Sequence, residues 1–150
     1  MKTYSIYWIE EEIAQYYLHK GELLYRFFSE YHERENNIVL QKQFHYITKQ
    51  IPQHKLHRHI NSSLHIKRSS KNINDLILFS LDHDPIYVAL FNRQIKFQCD
   101  MLHDAERYLF PLLKEIQPFL FVVGDDHDNY GWMSPPTQFK LDYHKQILYS

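Results

Sequence analysis

The chain has 150 residues, a formal net charge of −1 and a single cysteine, and 44% of its residues are hydrophobic. A chain of this length can bury roughly 68–70% of its unfolded surface around one core, so residues 1–150 are expected to form a single domain. One cysteine excludes an intrachain disulfide framework, and the sequence contains neither a leader pattern nor an apolar run of about 18 residues, so we expect a cytoplasmic protein without a membrane span.

The first predicted elements are a strand over 3–9 and a helix that begins near Glu10. The strand is rich in aromatic and β-branched residues, and three glutamates follow it where the first turn of a helix favours carboxylates. Gly21, after a histidine and a lysine, marks the end of this helix. A second helix is predicted over 22–32 because its apolar residues recur at helical spacing. Its predicted core stripe consists of Leu23, Leu24, Phe27, Phe28 and Tyr31.

The first helix carries more apolar surface than one core-facing stripe can use. Ala14 and Leu18 share one face, whereas Ile13 and Tyr17 share another face that is rotated by about 100°. A wide buried face would explain this pattern as well as a partner-binding face would.

The third predicted helix, over 38–48, has the same unusual pattern. Its core stripe is formed by Leu40, Phe44 and Ile47, and its second row by Val39, Gln43 and Tyr46. Two helices therefore each present a mixed second face, which suggests a surface for another protein.

A short fourth helix is predicted after Pro52, because proline is well tolerated in the first turn of a helix. Residues 41–71 contain seven basic and no acidic residues, and five of the eleven histidines. Residues 61–74 are rich in serine and asparagine and are predicted to form a loop. A solvated helix and loop would explain the basic segment; an alternative function is nucleic-acid binding through residues 42–71, which would weaken steeply with salt.

The character of the sequence changes near residue 74. Three short β-rich runs, 76–81, 86–91 and 95–99, predict an antiparallel meander with turns at 82–85 and 92–94.

A late helix is predicted over 104–116, although Pro111 should kink or split it. A strand over 119–123 is apolar on both faces and is therefore expected to be central. The order of elements predicts an α+β fold, with a sheet of about five strands packed by the N-terminal helices and one late helix.

The sequence contains no pattern that is specific for catalysis. His54 and His57, and the acidic clusters at 82–84 and 125–128, include metal-ligand residue types, but they match no zinc or EF-hand spacing. There is no nucleophile elbow or glycine-rich phosphate loop, and the chain has only three glycines. We therefore expect no enzyme activity, catalytic residue, metal, cofactor or small-molecule substrate. Cys99 lies in an apolar run and is expected to be structural.

The 12 tyrosines and 10 phenylalanines favour a binding module instead. Aromatic side chains bury large areas with few rotatable bonds, so they are common anchors of protein interfaces as well as core residues.

Three segments of the sequence resemble the SirA family, the sporulation inhibitors of replication of Bacillus and its relatives. They read Tyr-Trp-Ile-Glu-Glu-Glu-Ile-Ala-Gln-Tyr-Tyr at 7–17, Gln-Phe-His-Tyr-Ile-Thr-Lys-Gln-Ile-Pro at 43–52 and Tyr-Gly-Trp-Met-Ser-Pro at 130–135. The resemblance covers most of residues 1–136, and its most specific element is Tyr-Gly-Trp-x-x-Pro after an apolar strand. The tail at 137–150 has no counterpart.

This resemblance implies a non-enzymatic protein that binds the N-terminal domain of the initiator DnaA and blocks new rounds of chromosome replication as sporulation begins. It implies a contact surface on the first and third helices, at Ile13, Tyr17, Gln43 and Tyr46. Ile13 stands where the family pattern implies a phenylalanine, so this anchor is smaller. Direct binding to nucleic acid is not expected, and the Tyr-Gly-Trp segment is expected to form a structural turn under the sheet.

Overall fold

Seven strands and six helices lie within the residues that the computed structural model describes, which are 1–63, 66–68, 75–80 and 83–133. The strands are β1 Lys2–Trp8, β2 Ile66–Arg68, β3 Asp75–Ser80, β4 His83–Leu90, β5 Ile95–Cys99, β6 Leu120–Gly124 and β7 Tyr130–Trp132. The helices are α1 Glu11–Tyr16, α2 Gly21–Glu33, α3 Ile38–Ile47, α4 Gln53–Asn61, α5 Leu102–Tyr108 and α6 Phe110–Lys114. The α+β fold class is thus confirmed.

All seven strands belong to one antiparallel sheet with the order β2-β3-β4-β5-β1-β6-β7. The first strand of the chain lies inside the sheet, between β5 and β6, and Ser5 pairs with Lys96 on one side and Val123 on the other. Strand β1 therefore joins the part of the sheet formed by β2 to β5 to the part formed by β6 and β7.

Side chains of β1 alternate between the two faces of the sheet, and the core consists of two clusters, one on each face. Tyr4 and Ile6 pack into the cluster that contains α4, α5 and α6, whereas Tyr7 and Ile9 pack into the cluster that contains α1, α2 and α3. Because side chains of successive strand residues point to opposite faces, the two groups of helices lie on opposite sides of the sheet. Strand β6 is buried along its whole length, as its apolar sequence predicted.

All five predicted strands are present, and the sheet has two further short strands. One of them, β2, lies within the segment 61–74 that was predicted to be a loop; residues 64–65 and 69–74 of that segment lie outside the described residues. The other, β7, replaces the turn predicted for the Tyr-Gly-Trp segment, and it pairs with β6. The residues predicted to form a turn at 83–85 instead begin β4, and Asp82 lies outside the described residues.

The predicted late helix is two helices. Helix α5 ends at Tyr108, and α6 begins at Phe110 with Pro111 in its first turn. A proline in the first turn costs no helical hydrogen bond, because the N–H groups there have no partner within the helix. The split therefore removes the penalty that Pro111 would impose inside a continuous helix.

Helix α2 departs from its predicted stripe at one residue. Leu24 and Phe28 are buried and Phe27 and Tyr31 are half-buried, but 47% of Leu23 is exposed. Adjacent apolar residues are about 100° apart on a helix, and only one of them can point directly at the sheet. The buried face of α2 is therefore narrower than predicted, because it does not include Leu23.

Candidate functional site

The start of α1 and the end of α3 are joined by backbone hydrogen bonds. The amide of Glu10 donates to the carbonyl of Ile47 at 2.9 Å, and the amide of Lys49 donates to the carbonyl of Trp8 at 2.8 Å. Ile9 and Thr48 form an isolated antiparallel bridge between these bonds. These bonds place the start of α1 beside the end of α3, so the two helices with mixed faces are connected through the residues that flank them.

Helix α3 is fixed at both ends by side chains. The carboxamide of Asn37 accepts a hydrogen bond from the amide of Leu40 at 3.0 Å, which caps the N-terminus. At the other end, Nη1 of Arg93, from the turn between β4 and β5, donates to the carbonyl of Thr48 at 2.7 Å. A cation at a helix C-terminus also interacts favourably with the helix dipole.

The Arg93 contact leads to a stability prediction. Replacing Arg93 by alanine removes a charged hydrogen bond to the end of α3 and is expected to lower the free energy of unfolding by about 1.5 kcal/mol. Urea unfolding of the purified variant would measure the loss. Arg93→Lys keeps a positive charge and N–H donors and should recover part of the loss. An unchanged midpoint in Arg93→Ala would contradict the assigned role.

The two rows of residues predicted on α3 differ in solvent exposure. Leu40 and Phe44 are buried, whereas Gln43 is exposed and 71% of Tyr46 and 63% of Val39 are exposed. An aliphatic and an aromatic side chain thus face solvent along one side of the helix, off its core stripe.

Helix α1 ends at Tyr16, earlier than the predicted end near Gly21, so Ile13 lies in the helix and Tyr17 is its C-cap residue. Both are less exposed than Gln43 and Tyr46 of α3. Ala14 and Leu18 are buried as predicted, but Ile13 and Tyr17 are half-buried and pack against the cluster beneath α1, α2 and α3. The carbonyl of Tyr17 accepts a hydrogen bond from Nε1 of Trp132 at 3.4 Å. Ile13 and Tyr17 are therefore held by contacts with the core, and only part of each side chain is accessible to a partner.

Tyr16 was not among the predicted contact residues, although 64% of it is exposed. Its ring packs edge-on against Tyr17 with 4.8 Å between the centroids, and Nζ of Lys20 lies 4.1 Å from its ring centroid. The spacing of three residues from Ile13 could have indicated a shared face, because residues at i and i+3 are neighbours on a helix.

A layer of stacked aromatic rings supports the surface from inside. The rings of Tyr7 and Phe28 are parallel with centroids 4.0 Å apart, and those of Tyr31 and Phe44 with centroids 4.2 Å apart. The hydroxyl of Tyr7 contacts Nε2 of His32, and burial raises the pKa of Tyr7 because the phenolate would lose its hydration. This layer links α2 and α3 to β1.

The acidic segment after β6 is engaged in structural contacts. The carboxylate of Asp125 accepts a hydrogen bond from the hydroxyl of Ser5 at 2.7 Å and pairs with Nζ of Lys96 at 3.0 Å. The ring of His127 packs edge-on against Tyr4. Within 1–63, 66–68, 75–80 and 83–133, no three metal-ligating side chains are arranged to hold an ion.

The predicted fourth helix is present as α4, with Leu56 and Ile60 buried and Lys55 and Arg58 exposed.

No helix in the described part of the chain is long and apolar enough to cross a membrane.

Cys99 is buried at the end of β5. Burial, with smaller contributions from Asp104 and Asp100, raises the pKa of the Cys99 thiol from 9.0 to about 11, so the nucleophilic thiolate is disfavoured at neutral pH.

The raised pKa of Cys99 predicts a stability loss in alkali. Between pH 9 and pH 11 the unfolded chain releases this proton while the folded chain retains it, so the free energy of unfolding should fall as pH rises through that window. Urea unfolding of the natural chain and of Cys99→Ala at several pH values would measure it. The natural chain should lose more stability over the window, and parallel pH profiles would contradict the prediction.

Comparison with known proteins identifies a family and a curated relative. A family model described as "Sporulation inhibitor of replication protein SirA" matches residues 2–137. A curated protein of the same name from Bacillus subtilis (strain 168) is 23% identical over 140 residues, which are 89% of this chain and 94% of that protein. The family match includes α1, α3 and the Tyr-Gly-Trp segment.

Proposed function

Because this chain belongs to the SirA family of sporulation inhibitors of replication, we propose that it inhibits the initiation of chromosome replication by binding the N-terminal domain of DnaA. The family membership confirms the resemblance found in three segments of the sequence. The inhibitor role follows from the name of the family and of its relative in Bacillus subtilis. Binding to DnaA, and action in the cytoplasm, are our proposals.

The observation that carries this proposal is the exposed apolar surface of α1 and α3. Tyr46 and Val39 face solvent on a helix that is fixed at both ends. Ile13 and Tyr17 lie half-buried in and at the end of α1, whose start is hydrogen-bonded to the end of α3. A rigid surface with exposed aromatic side chains loses little conformational entropy on association. It therefore suits a protein that acts by occupying its partner.

The proposed mechanism is competition for a surface of DnaA. Ile13, Tyr17, Gln43 and Tyr46 would dock on the N-terminal domain, with the aromatic rings in apolar pockets and the carboxamide of Gln43 hydrogen-bonded at the edge. Occupancy of that surface would exclude other partners of the domain, and no chemical step is needed.

Calorimetric titration of this chain against the isolated N-terminal domain of DnaA from the same organism, at two salt concentrations, tests the proposal. We expect one-to-one binding that changes little with salt, because the proposed contacts are mainly apolar. Absence of binding would refute the proposal. If the chain then bound duplex DNA with a steep salt dependence, residues 42–71 would be the functional segment.

A further inference from the structure

Tyr16 projects from α1 on the side opposite the core. Measured from Ile13 around the helix, Tyr16 lies at about −60°, whereas Ala14 lies at about +100°. The observed burial agrees, since Ala14 and Leu18 are buried, Ile13 and Tyr17 are half-buried and Tyr16 is exposed. Tyr16 therefore extends the Ile13 and Tyr17 face outward, toward solvent.

Two contacts hold the Tyr16 ring in place. The ammonium of Lys20 lies 4.1 Å from the ring centroid, within the range of a cation–π interaction, and the ring of Tyr17 meets it edge-on. Lys20 is itself fixed at the backbone, because its amide donates to the carbonyl of Tyr17 at 2.9 Å. Both contacts favour this orientation of the exposed ring in the free protein.

An exposed tyrosine held in this way has the properties of an interface anchor. It offers a large, rigid, amphipathic area, and the ordering cost that an unrestrained side chain would incur on binding is already reduced. No carboxylate among the described residues pairs with Lys20, so its ammonium can donate a hydrogen bond to an acceptor on a partner.

We propose that Tyr16 is a further anchor of the DnaA-binding surface and that Lys20 is the residue that positions it, an inference that rests on the proposed function. The matching surface of the DnaA N-terminal domain then has an apolar slot for the phenol ring, with a carboxylate or carbonyl oxygen beside it for the ammonium of Lys20. Tyr16 would contribute to partner specificity, because a surface lacking the slot would clash with the fixed ring.

Titration of the full chain against full-length DnaA, with four variants, tests this inference. Tyr16→Ala should weaken binding about tenfold, and Tyr16→Phe should retain most of the affinity because the ring remains. Lys20→Ala should weaken binding about threefold in the natural chain and have no further effect when combined with Tyr16→Ala, because it acts through the ring. Tyr16→Ala should leave the urea midpoint nearly unchanged, since the side chain is exposed.

The controls separate this inference from the proposed function. Tyr87→Ala removes another exposed tyrosine, on β4, and should leave the affinity unchanged. If Tyr46→Ala weakens binding and Tyr16→Ala stays within twofold of the natural chain, Tyr16 is not an anchor and the inference fails alone. Equal losses from Lys20→Ala with and without Tyr16 would refute the positioning role, and absence of binding by the natural chain would refute both proposals.

Discussion

Replacement of Trp132 by alanine is expected to lower the free energy of unfolding by about 3 to 5 kcal/mol, which is a large fraction of the total for a domain of this size. Only 1% of Trp132 is exposed, and its ring packs edge-on against Phe121 with 5.1 Å between the centroids. Truncation would leave a large cavity between β7 and the helices above it, since the neighbouring rings are held by their own stacking and can close the space only in part.

Urea unfolding of Trp132→Ala and of a conservative variant would measure this effect. Trp132→Phe keeps an aromatic ring but loses the Nε1 donor to Tyr17, and it should cost clearly less than Trp132→Ala because most of the volume is retained. Leu23→Ala is the surface control, because Leu23 is half exposed and its truncation should change the free energy by less than about 0.5 kcal/mol. Equal costs for Trp132→Ala and Leu23→Ala would show that Trp132 does not support the core.

The elements with strong local signals could be predicted from the sequence. Periodicity on α2 and α3 placed Leu24, Phe28, Leu40 and Phe44 in the core, and all four are buried. The continuous apolar run of β6 predicted burial on both faces. These signals are local, because each depends on the spacing of apolar residues within one element.

Features that depend on distant parts of the chain could not be predicted. Strand β7 has only three residues, and it exists because it pairs with β6 and places Trp132 over Phe121. The contact between Arg93 and Thr48 joins residues 45 positions apart, and nothing in the local sequence of the β4–β5 turn marks Arg93 for that role. Such contacts arise only when the sheet order is known.

The candidate surface could be predicted only in part, because some of its features depend on contacts between distant parts of the chain. Val39 and Tyr46 are exposed because the α3 pattern left them off the core stripe. Ile13 and Tyr17 were assigned to a second face of α1, but their partial burial depends on the aromatic cluster beneath them. Tyr16 was missed because it belongs to neither predicted row of α1, although its spacing of three residues from Ile13 was a local signal.

Tyr46→Ala is expected to weaken binding to the N-terminal domain of DnaA by about 2 kcal/mol or more, which is about a thirtyfold increase in Kd. Tyr46 is the most suitable test residue because 71% of it is exposed in the free protein. Its truncation removes little of the core, so the urea midpoint should stay within the range of ordinary surface substitutions. Any large loss of affinity would then report on the contact itself.

The same measurement on Tyr17 would be harder to interpret, because Tyr17 packs on the core and its truncation would also change stability. Tyr87→Ala supplies the matched control, since Tyr87 is 39% exposed on β4 and belongs to neither α1 nor α3. Loss of affinity in Tyr46→Ala but not in Tyr87→Ala would assign binding to the junction of α1 and α3. Equal affinity in both variants would move the contact elsewhere on the protein, because an exposed aromatic side chain at the centre of an interface cannot be removed without a measurable loss of buried apolar area.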